Sequence, residues 1–201
     1  MALSVALGLN IGFAVALLAA QMQLHAVLGR MPQGEPVLRA EMWVGNLGGI
    51  QAAAFVGTGI LFLLWFSQMR EHSERLRPSP RWMGRNGALG WWFVPVVNLW
   101  MPFRIALDIW ASSQPEDTVR RRSRLPVTVW WLLFASWTFA NGWARDLYQR
   151  AEGADLVRAA LRSGMIANGL CVVAAVATIV FVWQLTQMQS RQSHGDTSAA
   201  L

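Results

Sequence analysis

Four stretches of this chain hold no charged side chain: 1–29, 42–69, 125–144 and 163–190. Each reaches the roughly 20 residues that an α-helix needs to cross a ~30 Å hydrocarbon core. Backbone passing through lipid must satisfy its own polar groups, so helices are expected there and not open strands. The predicted fold is all-α and integral to a membrane: a four-transmembrane-helix bundle with spans at 3–25, 44–66, 126–143 and 165–187. It forms one membrane domain over 1–190, followed by a polar tail at 191–201 that composition reads as disordered. Trp43, Trp65, Trp143 and Trp183 fall near span ends, where amphipathic rings prefer the headgroup level.

The first stretch has no basic residue ahead of it, and its apolar run exceeds the ~7–15 residues of a signal peptide's hydrophobic region. It is read as a retained helix. Three spans carry small residues at every fourth position: Ser4, Gly8, Gly12, Ala16 and Ala20; Gly45, Gly49, Ala53 and Gly57; Ser163, Ala167, Cys171 and Ala175. Such stripes let helix backbones approach closely, within the bundle or between copies. The third span has no stripe and carries Trp130, Trp131, Phe134, Trp137 and Phe139, which predicts a peripheral, lipid-facing helix. Polar residues inside the spans are uncharged, Asn10, Gln51, Thr58, Asn141 and Asn168 among them. An ion-coupled transporter is expected to place an ionisable group at the midplane, so that class is disfavoured.

Composition agrees with a membrane: 54% of residues are hydrophobic and 14% charged. All 17 basic residues are arginine, which with abundant Ala and Gly suggests a GC-rich bacterial genome. The net charge of +6 does not indicate nucleic acid, because the arginines flank apolar segments and do not build a soluble basic face. Cys171 is the only cysteine, so no intrachain disulfide can form.

One uncharged segment does not fit a plain span. Between Arg85 and Arg104, the run from Trp91 to Pro102 carries Pro95, Pro102 and Asn98 among tryptophans. Arginine placement decides its topology. With four crossings, eleven arginines lie on the side shared by both termini and six on the other; a fifth crossing makes the split nine to eight. Only four crossings leave a positive-inside bias, with both termini cytoplasmic in the plasma membrane. Residues 87–111 are then re-entrant or interfacial. The prolines predict a helix break, with Asn98 capping freed backbone groups or lining a polar cavity. After Pro102, Phe103, Ala106, Leu107 and Trp110 share one helix face, and Arg104 and Asp108 form an i,i+4 pair worth ~0.3 kcal/mol. Trp82, Trp91, Trp92, Trp100 and Trp110 are expected together at headgroup depth.

At these residues the chain resembles the bacterial membrane family named domain of unknown function 4328. The likeness rests on Phe62 to Phe66, on Arg81 with Gly84 and Arg85, on the run from Gly90 to Pro102, and on Asp108, Ile109 and Trp110. It implies a multi-pass membrane architecture from the second span onward; it implies no activity, ligand or catalytic residue.

The candidate functional segment is Trp91, Trp92, Pro95, Asn98, Trp100, Pro102, Arg104, Asp108 and Trp110. The reading that fits is a non-enzymatic membrane scaffold, or a protein that binds lipid or a partner through this cytoplasmic Trp/Arg segment. Its expected partners are the bilayer, anionic lipid headgroups at about 1 kcal/mol per arginine, and a second copy or another membrane protein. No cofactor, metal or nucleic acid is expected. A channel with the Pro95 to Pro102 break on a solute path is the alternative, and an interfacial lipid enzyme using Arg104 and Asp108 is the third reading.

Overall fold

The computed structural model describes residues 2–31, 33–76, 89–94, 96–114 and 122–199. Within them the chain forms five α-helices: α1 (Ala2–Arg30), α2 (Glu35–Leu76), α3 (Met101–Ser112), α4 (Leu125–Arg150) and α5 (Ala154–Ala199). A 3-10 turn at Val97–Leu99 precedes α3. Three stretches, Ala2–Arg30, Glu35–Arg75 and Ala154–Ser190, are long and apolar enough to cross a membrane. The expected third span lies in α4, whose 26 residues suffice in length, but its tryptophans and polar residues leave it outside that set.

The helices outrun the charge-free windows. Charge ends a hydrocarbon span without ending a helix, because oppositely charged side chains four residues apart support one another. Arg39 meets Glu35 at 2.5 Å, Arg75 meets Glu71 at 3.0 Å and Arg150 meets Asp146 at 2.8 Å. Between α4 and α5 only 151–153 is non-helical, and there Gly153 takes φ 85°, a left-handed value that a side chain would oppose. At the other end, α5 backbone continues through Ala199, where composition alone predicts disorder.

The chain packs as two compact units, 1–59 with 132–176 and 60–131 with 177–201. In the first, α1 buries Leu3, Leu7, Asn10, Ala14, Leu17, Gln21, Leu24 and Leu28, a run of three- and four-residue steps that defines one helix face. Leu24 and Leu28 pack with Val37, Ala40 and Leu161. The stripes divide. Ala167, Cys171 and Ala175 on α5 are buried, whereas Gly8, Gly12, Gly45, Gly49 and Gly57 are exposed and a side chain there would meet no atom within 4 Å. Close packing within the described fold therefore accounts only for the α5 stripe.

Buried amides hold this unit together as well. Asn10 Nδ2 donates to Thr58 Oγ1 at 2.5 Å and to the Ala54 carbonyl at 3.3 Å, while Thr58 donates to that carbonyl at 2.8 Å. Asn10→Ala removes these two hydrogen bonds from α1 to α2 yet leaves Thr58 bonded to the Ala54 carbonyl. The expected loss is about 0.6–2 kcal/mol, read from unfolding equilibria of the reconstituted protein; an unchanged midpoint contradicts it.

In the second unit the core is aromatic. Trp130 of α4 is 1% exposed and stacks on Phe181 of α5 with centroids 4.5 Å apart and planes 14° off parallel. Phe62 of α2 approaches Trp130 at 5.7 Å, and Trp110 of α3 approaches Phe181 at 6.4 Å. The expectation of a lipid-facing third span is thus corrected at its first turns: Val127, Trp130 and Trp131 are buried, while Phe139 and Trp143 are exposed. Absence of a small-residue stripe does not place a helix outside, because rings stacked on rings fill space just as closely.

Candidate functional site

The segment picked out by its tryptophans and prolines lies in the second unit. Residues 91–94 form turns, with the Trp92 and Phe93 amides donating to the Leu89 and Gly90 carbonyls at 3.3 and 3.1 Å. The 3-10 turn follows, Leu99 donating to the Val96 carbonyl at 3.0 Å. Val96 enters it at φ 67° and ψ −52°, a conformation that costs a β-branched residue about 1–3 kcal/mol. α3 then begins, with Pro102 in its first turn, where a missing N–H breaks no helical bond. Pro95 lies outside the described residues, as does Trp82.

α3 is no surface helix. It buries Met101, Pro102, Ile105, Ala106, Ile109 and Trp110. The buried face is therefore turned from the expected one, since Phe103 and Leu107 are only half-buried and Ile105 and Ile109 take the centre.

On the same helix Asp108 receives the Nη1 of Arg70 from α2. Arg70 is entirely buried, with Glu74 Oε1 at 3.5 Å from its Nε. A partner of Asp108 is thus an arginine 38 positions away, while Arg104, expected at i,i+4, is exposed. Among the described residues the Nη2 of Arg70 has no hydrogen-bond partner. Ser73 and Ser112 bring their hydroxyls to 2.5 Å, and Gln189 of α5 donates to Ser113 Oγ at 3.0 Å and to the Met69 carbonyl at 3.2 Å. Gln114 closes the end of α3 by accepting from the Arg122 amide at 3.1 Å. This polar network ties α3 to α2 and α5 around one buried cation.

The nine candidate residues consequently separate. Pro102 and Trp110 are buried and Asp108 is engaged by Arg70. Trp92 is half-buried, edge-on to Phe62 at 5.7 Å and Phe66 at 6.0 Å, and Trp91 is half-buried beside it in sequence. Asn98 is half-buried, and among the described residues its side-chain amide makes no hydrogen bond; only its backbone N–H is used, donating to the Val94 carbonyl at 3.0 Å. Trp100 and Arg104 are exposed; of the tryptophans expected together, Trp110 is buried in the core, Trp91 and Trp92 are half-buried, and Trp82 is outside the described residues.

What remains on the surface is apolar: Phe93 is 75% exposed and Val96 66%, with Val94, Leu99 and Trp100 beside them in the chain and Arg104 one turn further on. Sequence reasoning missed Arg70, Ser73 and Gln189. Arg70 does stand four residues before Glu74, a weak signal of pairing, but nothing local marks it as buried. Among the described residues, no group of three His, Cys, Asp or Glu side chains is placed to hold a metal.

A family model described as "Domain of unknown function (DUF4328)" matches residues 33–187. No curated protein and no solved structure matches the chain.

Proposed function

The chain belongs to the DUF4328 family, and from that premise we propose that it is a multi-pass, non-enzymatic protein of the bacterial plasma membrane whose segment 91–104 rests in the inner-leaflet interface. α4 supplies the fourth crossing: its 26 residues extend about 39 Å at 1.5 Å per residue, and only four crossings leave the arginines asymmetric. One observation carries the interfacial reading. A turn segment shows its apolar side chains, Phe93, Val96, Leu99 and Trp100, while half-buried Trp92 packs on Phe62 and Phe66 and Arg104 is exposed one turn further on. Broken backbone with its own turn bonds is unsuited to cross hydrocarbon but suited to the headgroup boundary. Exposed rings and aliphatic side chains favour shallow insertion there, and the arginine favours anionic headgroups.

Nitroxide labels at positions 93, 96 and 100, in a Cys171→Ala background reconstituted into vesicles containing phosphatidylglycerol, test this reading. Their relaxation is expected to respond to oxygen more than to a water-soluble nickel chelate, at headgroup depth, while a label at 104 responds to nickel. Labels at 93 and 96 as nickel-accessible as one at 122 would defeat the proposal, as would a depth near the midplane. Reporter fusions at both termini and after 112 should all read cytoplasmic.

A further inference from the structure

The first unit contains a cleft of about 710 Å³ between α1, α2, α4 and α5, within the range of small-molecule and lipid sites. One wall is aromatic: Phe55 meets Trp137 at 4.7 Å, and Phe134 meets Trp137 at 6.1 Å. Three amides occupy its depth. Asn168 Nδ2 donates to Gln21 Oε1 at 2.9 Å, and Gln51 Nε2 donates to Asn168 Oδ1 at 3.4 Å. The Gln21 Nε2 lies so close to Gly164 that a Cβ there would come within 2.8 Å of it, so the amide is held by the absence of a side chain. Gln51 Nε2 also reaches Cys171 Sγ at 3.8 Å; among the described residues the Gln21 Nε2 donors and the Gln51 Oε1 take no further protein partner, which leaves them for an ester group with a water or hydroxyl beside it.

The other end is cationic. Arg145 is exposed and among the described residues makes no ion pair, and no Asp or Glu lines the cleft. Tyr148 lines it there too and offers a phenol O–H. An aromatic wall, amides and an exposed guanidinium match an amphiphile with an acyl chain, ester carbonyls and a phosphate.

We propose that this cleft binds one acidic phospholipid of the surrounding bilayer, its phosphate on Arg145, its ester region at Gln21 and Gln51, and an acyl chain against Phe55 and Trp137. The site belongs to the first unit alone, so it stands or falls separately from the interfacial reading of 91–104.

Native mass spectrometry of the full chain in neutral maltoside detergent tests it, with phosphatidylglycerol and phosphatidylcholine of identical chains added together. One phosphatidylglycerol per chain should persist after phosphatidylcholine is stripped. Arg145→Gln should lower that occupancy about tenfold. Gly48→Phe should abolish it by filling the cleft, since Gly48 lines the cleft and a Cβ there meets no atom within 4 Å. Arg150→Gln, whose arginine pairs with Asp146 outside the cleft, should change nothing. Equal retention of the two lipids would overturn the proposal, as would wild-type occupancy in Arg145→Gln or Gly48→Phe, or no retained lipid. If oleate binds with Arg145 dependence and phosphatidylglycerol does not, the occupant is a free fatty acid and the phospholipid assignment is wrong.

Discussion

Trp130→Ala is expected to lower the unfolding free energy by about 3–5 kcal/mol. The indole is 1% exposed and sits among rings that are themselves packed: Phe181 at 4.5 Å, Trp131 at 5.6 Å and Phe62 at 5.7 Å. Lipid tails are as apolar as leucine, so where this core lies at membrane depth, transfer out of water contributes little. Dispersion and void formation remain, and a ring removed from between stacked rings leaves partners that cannot collapse into the gap. Phe139→Ala on the same helix is the control: its ring is 70% exposed, and a change below about 0.5 kcal/mol is expected. Steric trapping of the reconstituted protein measures both. Equal losses at 130 and 139 would contradict the aromatic core.

The sequence alone reveals where lipid-compatible helix exists, because charge and hydropathy are local properties of each window. It also places the start of α3, since Pro102 suits a first turn and little else there. What it hides is which side of a helix meets a neighbour. Gly45, Gly49 and Gly57 have the spacing of a packing stripe yet lie exposed, while Trp130 and Trp131, read as lipid-facing, are buried. Arg70 shows the same limit most sharply. Counted by topology it is one of many cytoplasmic arginines; in the fold it is the buried one, because Asp108 comes from a helix 38 positions on. The i,i+4 rule paired Asp108 with Arg104 for want of any long-range information, and an exposed i,i+4 pair is too weak to compete with a buried cation that has few other acceptors. Helix ends are hidden for a related reason: loss of apolar character ends a span without ending a helix, since Glu71 with Arg75 and Asp146 with Arg150 carry the helices onward.

Asp108→Ala should cost more than Arg70→Met, and the asymmetry follows from burial. The Arg70 side chain is 0% exposed and that of Asp108 40%. Removing the carboxylate leaves a guanidinium shielded from solvent and, among the described residues, with Glu74 alone as an ion-pair partner, 3.5 Å from its Nε, which predicts a loss near the lower end of the ~3–5 kcal/mol typical of broken buried pairs. Removing the arginine instead leaves a carboxylate that water already reaches, and methionine fills much of the vacated stem volume, so about 1–2 kcal/mol is expected. The Arg70→Met, Asp108→Leu double variant should recover most of the larger loss, because a well-packed apolar pair replaces two charges whose desolvation roughly cancels their attraction. A double-mutant cycle on the reconstituted protein measures all three. A larger loss for Arg70→Met than for Asp108→Ala would mean that the carboxylate, and not the guanidinium, is the charge that the fold shields from water, and the clamp on α3 would then have to be drawn around Asp108.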